Sequence, residues 1–293
     1  MDGVFEPGEW LGGYAIPRAA LIDRLAAVLL DVDGTLLTED GAVPGAAAVV
    51  TALRRRGIPF RIVTNITRRS RQSVVDRLGA HGIEVQTDEI YTAVYAAVAW
   101  LRNRAIRRVA PFVTQDVVQD LQEFDLIGGT ATPSVRQSTP DAVLIGDLGD
   151  HWSHGLLNEA FRYVMDGAEL VALQRGRYWL GPTGLELDAG AYVAALEYAT
   201  GHNAVVCGKP NAEFFDAAVA SLADADYPTI RRSDDFSIGP IAMVGDDVWS
   251  DIQGAQQAGL EGWLVRTGKF REDVLAASGV TPDGVLDSVA SLC

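Results

Sequence analysis

Short, continuously apolar segments recur along the chain, and each of them stops abruptly at polar residues. Four of these segments lie at 26–30, 60–63, 204–207 and 241–244. An unbroken apolar run of this length is typical of a strand that is buried on both faces of a sheet. Segments with helical character follow them, at 44–56, 70–81, 212–222 and 251–258. Strands that alternate with helices predict a parallel sheet with right-handed crossovers.

Residues 86–203 interrupt this alternation with a pattern of their own. Their apolar runs lie at 109–113, 142–146 and 170–173, and an amphipathic helix is predicted at 153–165. We therefore predict an α/β protein with a doubly wound, Rossmann-like parallel-sheet core at 1–85 and 204–293, into which a second α/β domain at 86–203 is inserted. The first 24 residues are predicted to be an extension outside the repeating pattern.

Composition and charge narrow the class of protein. Hydrophobic residues make up 48% of the chain and charged residues 22%, which is typical of a globular protein. The net charge of −15 disfavours binding of nucleic acid, because the phosphate backbone would be repelled. No apolar stretch is long enough for a membrane helix, and the first residues are acidic where a signal peptide is basic, so a cytoplasmic protein is expected. Cys207 and Cys293 have no metal-ligand spacing and are expected to be thiols.

Polar residues follow the four apolar runs, and in a parallel sheet the carboxyl ends of all strands meet at one edge. The set consists of Asp31, Asp33, Thr64, Asn65, Lys209, Asp246 and Asp247, with Asp251 one helical turn onward. Two carboxylates 4 Å apart repel each other by about 4 kcal/mol at an effective dielectric constant of 20, so such a cluster needs a cation. Because the set contains oxygen donors but neither His nor Cys, the predicted cation is Mg²⁺.

The other members of this set suit a phosphoryl group. Lys209 offers an ammonium group, Thr64 and Asn65 offer neutral donors, and the turn at Gly34 can direct backbone N–H groups inward. A carboxylate in line with phosphorus can act as a nucleophile and form an aspartyl-phosphate. Asp33 can give a proton to the leaving oxygen and then take one from water. The predicted substrate is a small phosphorylated molecule.

The polar segments together resemble the four motifs of the haloacid dehalogenase superfamily of phosphatases. They are Asp31-Val32-Asp33-Gly34-Thr35, Val63-Thr64-Asn65, Gly208-Lys209-Pro210, and Gly245-Asp246-Asp247 with Asp251. A single Asp-x-Asp pair is a weak signal, whereas four motifs in this order are specific. The insert lies between the second and third motifs, which resembles the type C2 cap of the NagD-like branch, class IIA.

The resemblance implies a role for each acidic residue. Asp31 would be the nucleophile and a Mg²⁺ ligand, and Asp33 would be the acid and base and a ligand through its backbone carbonyl. Asp246 would be the third protein ligand of the metal. Asp247 and Asp251 would support these ligands without binding the metal themselves. The alternative for Asp247 and Asp251 is a purely structural role as helix caps.

The resemblance also implies that Thr64 and Lys209 hold the transferring phosphoryl group. Asp33 argues against a dehalogenase, since cleavage of a carbon–halogen bond needs no proton for an oxygen leaving group. Two alternatives remain open. One is a phosphotransferase or mutase that passes the phosphoryl group to a second substrate. The other is a regulatory protein that binds phosphate or metal without turnover, and the intact motif set counts against it.

Other motifs in the sequence are weaker indicators of function. The segment 262–270 superficially resembles a phosphate-binding P-loop, but its glycine spacing is wrong and Phe270 stands where a Ser or Thr is required. His151 and His154 lack a third ligand nearby in the sequence. Candidate contacts to the leaving group in the insert are Asp147, Asp150, Arg175, Arg177 and Trp179. By analogy with relatives, two copies could pair through their caps as a homodimer.

Overall fold

The computed structural model of the protein describes residues 10–11, 14–15, 21–131, 139–181, 184–223 and 239–293. Most of the extension predicted at the start of the chain therefore lies outside the described residues. The chain forms two compact units. The first consists of Met1–Thr64, Val75–Tyr91 and Phe215–Cys293, and the second of Asn65–Val74 and Thr92–Phe214. The assignment of the insert as a cap stays a prediction.

The strands are, in chain order, β1 (Trp10–Leu11), β2 (Tyr14–Ala15), β3 (Ala27–Asp31), β4 (Leu37–Thr38), β5 (Gly41–Ala42), β6 (Phe60–Thr64), β7 (Ile90–Thr92), β8 (Arg108–Phe112), β9 (Asp125–Leu126), β10 (Ala142–Ile145), β11 (Glu169–Ala172), β12 (Tyr178–Gly181), β13 (Gly184–Leu187), β14 (Val205–Val206), β15 (Ile241–Gly245), β16 (Glu261–Val265) and β17 (Gly284–Leu286). The α-helices are α1 (Ala46–Arg56), α2 (Arg71–Ala80), α3 (Ala93–Asn103), α4 (Gln115–Val118), α5 (His154–Met165), α6 (Ala189–Thr200), α7 (Ala212–Ala223), α8 (Gly254–Gln257) and α9 (Glu272–Ser278).

A six-stranded sheet forms the centre of the first unit, in the order β17-β16-β15-β3-β6-β7. Strand β3 pairs in parallel with β15 on one side and with β6 on the other. The pairs of β16 with β15 and with β17 are parallel too. This order is that of the doubly wound α/β fold, in which the chain reverses its direction of winding between β3 and β15. The predicted fold class is confirmed, and ligands of such folds bind at the carboxyl ends of the two strands beside that reversal.

The elements that lead to this edge form for local reasons. All side chains of β3 are buried, which explains why its run is apolar up to Asp31. Helix α1 ends at Gly57, which adopts the left-handed conformation at φ 68° that a glycine accepts without strain. The helix predicted at 251–258 begins earlier, as a π-helical turn at Val248–Gln253 that continues into α8.

The second unit has a sheet of its own, in the order β14-β11-β10-β8-β9, with every pair parallel. Helix α5 packs on this sheet through its apolar face. Phe112, Ile145, Ala160 and Leu170 belong to the buried cluster between them. Ser153 caps α5, because its side chain accepts a hydrogen bond from the Leu156 N–H.

The structure corrects the prediction for the apolar run at 204–207. This run was expected to be a strand of the core sheet, but β14 lies at the edge of the second sheet, where it pairs with β11. The Cys207 N–H continues the pairing by donating to the Ala172 carbonyl at 2.9 Å. A two-residue strand has too short a pattern to specify its neighbour. Lys209, which follows it, is therefore delivered by the second unit.

Among the described residues, no helix combines the length and the apolar character that crossing a lipid bilayer requires.

Candidate active site

Asp31 and Asp246 lie at the place where the chain of the first unit reverses its winding. Asp31 is the last residue of β3, and Asp246 directly follows β15, the neighbouring parallel strand. In the register of these two strands, Leu30 is opposite Val244. The parallel pairing therefore brings two carboxylates from distant parts of the sequence to the same point of the sheet edge.

Asp251 joins this pair from the π-helical turn. One carboxylate oxygen each of Asp31, Asp246 and Asp251 lie within 4.8 Å of one another. The three residues are buried, with 6%, 2% and 1% of their surface exposed. Asp251 Oδ2 accepts the Asp247 N–H at 3.1 Å, and a Cβ at position 245 would overlap the Asp251 carboxylate, which explains the glycine there. The sequence analysis placed Asp251 outside the ligand set, whereas the structure places it beside Asp31 and Asp246.

Three buried carboxylates of this kind require a counter-charge. Burial, together with the charge of Asp251, raises the pKa of Asp246 to about 7. A divalent cation would hold all three groups in the ionised form without that penalty. The donors are carboxylate oxygens only, which is the chemistry that Mg²⁺ and Ca²⁺ select. The residues present therefore fit a hard divalent cation, and they form the one such acidic group found in the part of the chain that the structure describes.

The Asp247 side chain forms hydrogen bonds outside the acidic group. Its Oδ1 accepts the N–H groups of Trp249 and Ser250, both at 3.0 Å, so the side chain caps the π-helical turn. Its Oδ2 accepts a hydrogen bond from Lys269 Nζ at 3.2 Å. Burial opposes ionisation of Asp247, but the Lys269 charge and the hydrogen bonds from Ser250 and Lys269 together outweigh it and lower the pKa of this carboxyl. Asp247 therefore orders the turn that carries Asp251.

The turn Thr267–Lys269, which follows β16, is a part of the site that sequence reasoning missed. The Lys269 N–H donates to Asp246 Oδ2 at 2.6 Å, and the Thr267 hydroxyl donates to the Gly34 carbonyl. The signal was present, because this segment follows a strand that ends at the same sheet edge. Comparison with the P-loop pattern alone does not reveal this role.

Asp33 lies outside the buried acidic group. Its side chain is half exposed and forms an ion pair with Arg77 at 2.8 Å. The next residue, Gly34, has a φ of 88°, and its N–H donates to the Leu37 carbonyl. The loop therefore turns sharply after Asp31, and the Asp33 carboxylate is accessible to solvent.

In the second unit, the Asn65 side chain binds the backbone of Lys209 at both ends. Asn65 Oδ1 accepts the Lys209 N–H at 2.8 Å, and Asn65 Nδ2 donates to the Lys209 carbonyl at 2.9 Å. This pairing fixes the position of Lys209, whose side chain is buried. Thr64, the last residue of β6, is also buried and belongs to the first unit.

Among the candidates in the insert, Asp147 is the most firmly placed. It is buried at the end of β10 and forms an ion pair with Arg68 at 2.8 Å, and the Arg68 guanidinium lies 5.1 Å from the Trp179 ring. Arg175 pairs with Glu197. Asp150, Arg177, His151 and His154 are exposed.

Two family models match the chain. Residues 28–127 match the family described as haloacid dehalogenase-like hydrolase, and residues 206–292 match the family described as HAD-hyrolase-like. The first match includes Asp31, and the second includes Asp246 and Asp251. Together with the fold, they define the class of protein as a haloacid dehalogenase-like hydrolase.

Two similar proteins identify the family within this class. Haloacid dehalogenase-like hydrolase domain-containing protein 2 of Bos taurus is 38% identical over 247 residues, which cover 84% of this chain and 86% of that protein. Phospholysine phosphohistidine inorganic pyrophosphate phosphatase of Bos taurus is 35% identical over 283 residues, which cover 93% and 95%. The chain belongs to the haloacid dehalogenase-like hydrolase family, and it is a phosphatase of that family.

Solved structures agree with this assignment. A glycerol phosphate phosphatase from Mycobacterium tuberculosis in complex with calcium has a TM-score of 0.78 at 26% identity, covering 93% of this chain and 76% of that chain. The same protein is known in complex with magnesium. NagD from E. coli K-12 has a TM-score of 0.75 at 23% identity, covering 91% of this chain and 97% of that chain. The fold is thus that of the NagD-like phosphatases.

Proposed function

We propose that this protein is a Mg²⁺-dependent phosphatase that hydrolyses a small phosphorylated molecule through an aspartyl-phosphate on Asp31. The buried group of Asp31, Asp246 and Asp251 at the carboxyl ends of β3 and β15 is the observation that supports this most strongly. A magnesium ion bound there would neutralise charge on the carboxylates and on the phosphoryl group.

In the first half of the proposed reaction, the Asp31 carboxylate attacks phosphorus and the bond from phosphorus to the leaving oxygen breaks. Asp33 donates its proton to that oxygen. In the second half, Asp33 takes a proton from water, which attacks phosphorus, so that orthophosphate leaves and the Asp31 carboxylate is restored. The half-exposed Asp33 side chain is suited to this exchange of protons, since it must reach both the leaving group and water.

The transferring phosphoryl group is proposed to be held by Thr64, by backbone N–H groups near Gly34, and by the Lys209 ammonium group. Asn65 was expected to donate to the phosphate directly. Its contacts support a different contribution, because both ends of its amide are bonded to the Lys209 backbone. We assign Asn65 the task of positioning Lys209.

The names of similar proteins support a phosphatase but differ in the leaving group. They include phospholysine, phosphohistidine and inorganic pyrophosphate in one relative and glycerol phosphate in another. The leaving groups that these names imply include amines, phosphate and an alcohol. A substrate panel for this protein should therefore contain these compounds beside sugar phosphates.

The test is the rate of phosphate release by the purified protein, first from p-nitrophenyl phosphate and then from the panel. We expect turnover in Mg²⁺, its loss in EDTA, and its recovery when Mg²⁺ is added back. Equal turnover with and without EDTA would contradict the metal-dependent mechanism. Binding of Mg²⁺ without turnover of any compound would favour the regulatory alternative.

A further inference from the structure

The Asp246 carboxylate is enclosed by two loops that lie far apart in the sequence. One is the turn after β3 that contains Gly34, and the other is the turn Thr267–Lys269. Both glycines have positive φ angles, 88° at Gly34 and 61° at Gly268. A Cβ on either of them would overlap the Asp246 carboxylate, so the backbone of both loops lies directly against it.

Hydrogen bonds lock this arrangement. The Lys269 N–H donates a hydrogen bond to Asp246 Oδ2 at 2.6 Å, and this bond fixes the rotation of the carboxylate. The Thr267 hydroxyl donates a hydrogen bond to the Gly34 carbonyl and so joins the two loops. The Lys269 ammonium group anchors the far end of the turn on Asp247 at 3.2 Å. Asp246 is consequently held in one orientation.

A rigid ligand has a chemical consequence at a site for hard cations. Mg²⁺ demands near-ideal octahedral geometry at short distances, whereas Ca²⁺ accepts flexible geometry and more ligands. A carboxylate that cannot rotate favours the first ion over the second. We infer that the turn Thr267–Lys269 sets the metal preference of the acidic group, by holding Asp246 in the orientation that Mg²⁺ requires. This inference depends on the divalent-cation site of the proposed function.

The test compares the binding of Mg²⁺ and of Ca²⁺ to the metal-free protein by isothermal titration calorimetry. Thr267→Val removes the hydroxyl that joins the loops and keeps the side-chain volume. It should raise the Kd for Mg²⁺ about tenfold, the lower end of what the loss of such an outer partner costs, and raise the Kd for Ca²⁺ less than about threefold. Thr267→Ser, which restores the hydroxyl, should bring both values back to within about twofold of the wild type.

The matched control is Thr51→Val. Thr51 also donates its hydroxyl to a backbone carbonyl, that of Ala47, but it lies on the exposed face of α1. This variant should bind both ions as the wild type does. If Thr267→Val is poorly folded by circular dichroism, Thr267→Ala serves in its place and must show the same selective loss.

An unchanged ratio of the two Kd values in Thr267→Val, or in Thr267→Ala where that variant replaces it, would overturn the inference, whether both affinities fall together or neither moves. Failure of the wild-type chain to bind either ion is a different result, because it would contradict the proposed function itself. The two failures are therefore distinguishable in the same set of titrations.

Discussion

Opposing interactions act on the ionisation of the Asp246 carboxyl, which lies next to the end of β15. Its carboxylate is buried next to Asp251, and both burial and that neighbouring charge favour the protonated form. The Lys269 N–H, at 2.6 Å, favours the ionised form, as a bound cation would. At neutral pH the balance falls close to the midpoint, since the pKa of Asp246 is about 7. The carboxyl is therefore only about half ionised at neutral pH, and a bound cation would shift it toward the ionised form.

This balance predicts a pH dependence of the stability of the metal-free protein. The pKa of Asp246 is raised in the folded state, so between pH 4 and 7 the folded protein retains a proton that the unfolded chain releases. The contribution of Asp246 is thus complete at acid pH and is lost as the pH rises through about 7. In EDTA, Tm measured by calorimetry should fall over this range, and Mg²⁺ should raise Tm more at pH 8 than at pH 5. The same pH slope in Asp246→Asn as in the wild type would contradict this.

Lys209 is the proposed cation for the transferring phosphoryl group. Lys209→Ala removes a charge that opposes the charge developing on that group, so kcat should fall about 100-fold or more for every substrate. Kinetics on p-nitrophenyl phosphate and on the best compound of the panel will check this. Arg102→Ala, which removes an exposed cation paired with Glu123, is the control. A loss confined to one substrate would instead assign Lys209 to the leaving group.

Asn65 should act through Lys209. Asn65→Ala leaves the lysine in place but removes both hydrogen bonds to its backbone, each worth about 1 kcal/mol. We expect kcat to fall about tenfold, and we expect the double variant with Lys209→Ala to be no slower than Lys209→Ala alone. Asn158→Ala, which removes an amide that contacts the exposed His154 side chain, is the control. Independent, multiplicative effects of the two substitutions would contradict the positioning role.

Helix α2 begins with carboxylates supplied by another element of the second unit. Asp116 of α4 accepts the Ser70 N–H at 2.9 Å and the Ser70 hydroxyl at 3.0 Å, and Asp120 accepts the Arg71 N–H at 2.9 Å. The first N–H groups of a helix have no partner within it, so these carboxylates satisfy them and interact favourably with the helix dipole. The segment that leads from Thr64 to α2 is thereby fixed at its far end.

Removing one of these caps should have a measurable cost. Asp116→Ala should lower the free energy of unfolding by about 1 kcal/mol, as the loss of a helix cap does. Urea unfolding monitored by circular dichroism gives this value, with Glu169→Ala, an exposed residue at the start of β11, as the control. An unchanged midpoint for Asp116→Ala would show that solvent satisfies the N–H groups equally well.

At the scale of the whole molecule, buried parallel strands were the most predictable feature. The runs that became β3, β6 and β15 were placed within a residue at either end, because a strand buried on both faces must be apolar throughout. The ends of α1 and α2, which precede Gly57 and Gly82, were predictable for the equally local reason that glycine accepts a positive φ.

Features that depend on tertiary contacts were harder to predict from the sequence. The sequence of the two-residue strand β14 does not indicate whether the strand joins the second sheet or the first. Asp251 enters the acidic group because a π-helical turn begins at Val248, which helical spacing alone does not reveal. The turn Thr267–Lys269 matters through hydrogen bonds to Asp246 and to the Gly34 carbonyl, and both partners lie far away in the sequence. Local patterns thus predicted the elements, while several contacts of the site required the fold.

The most direct test of the proposed mechanism is the steady-state rate of phosphate release by Asp31→Asn, measured with p-nitrophenyl phosphate in saturating Mg²⁺. The amide has the shape of the carboxylate but is neither a nucleophile nor an anionic ligand. We expect the purified variant to retain the circular dichroism spectrum of the wild type and to have less than about 1% of its activity, the scale on which loss of a covalent nucleophile acts. A folded Asp31→Asn protein that releases phosphate at more than a few per cent of the wild-type rate would contradict an aspartyl-phosphate on Asp31.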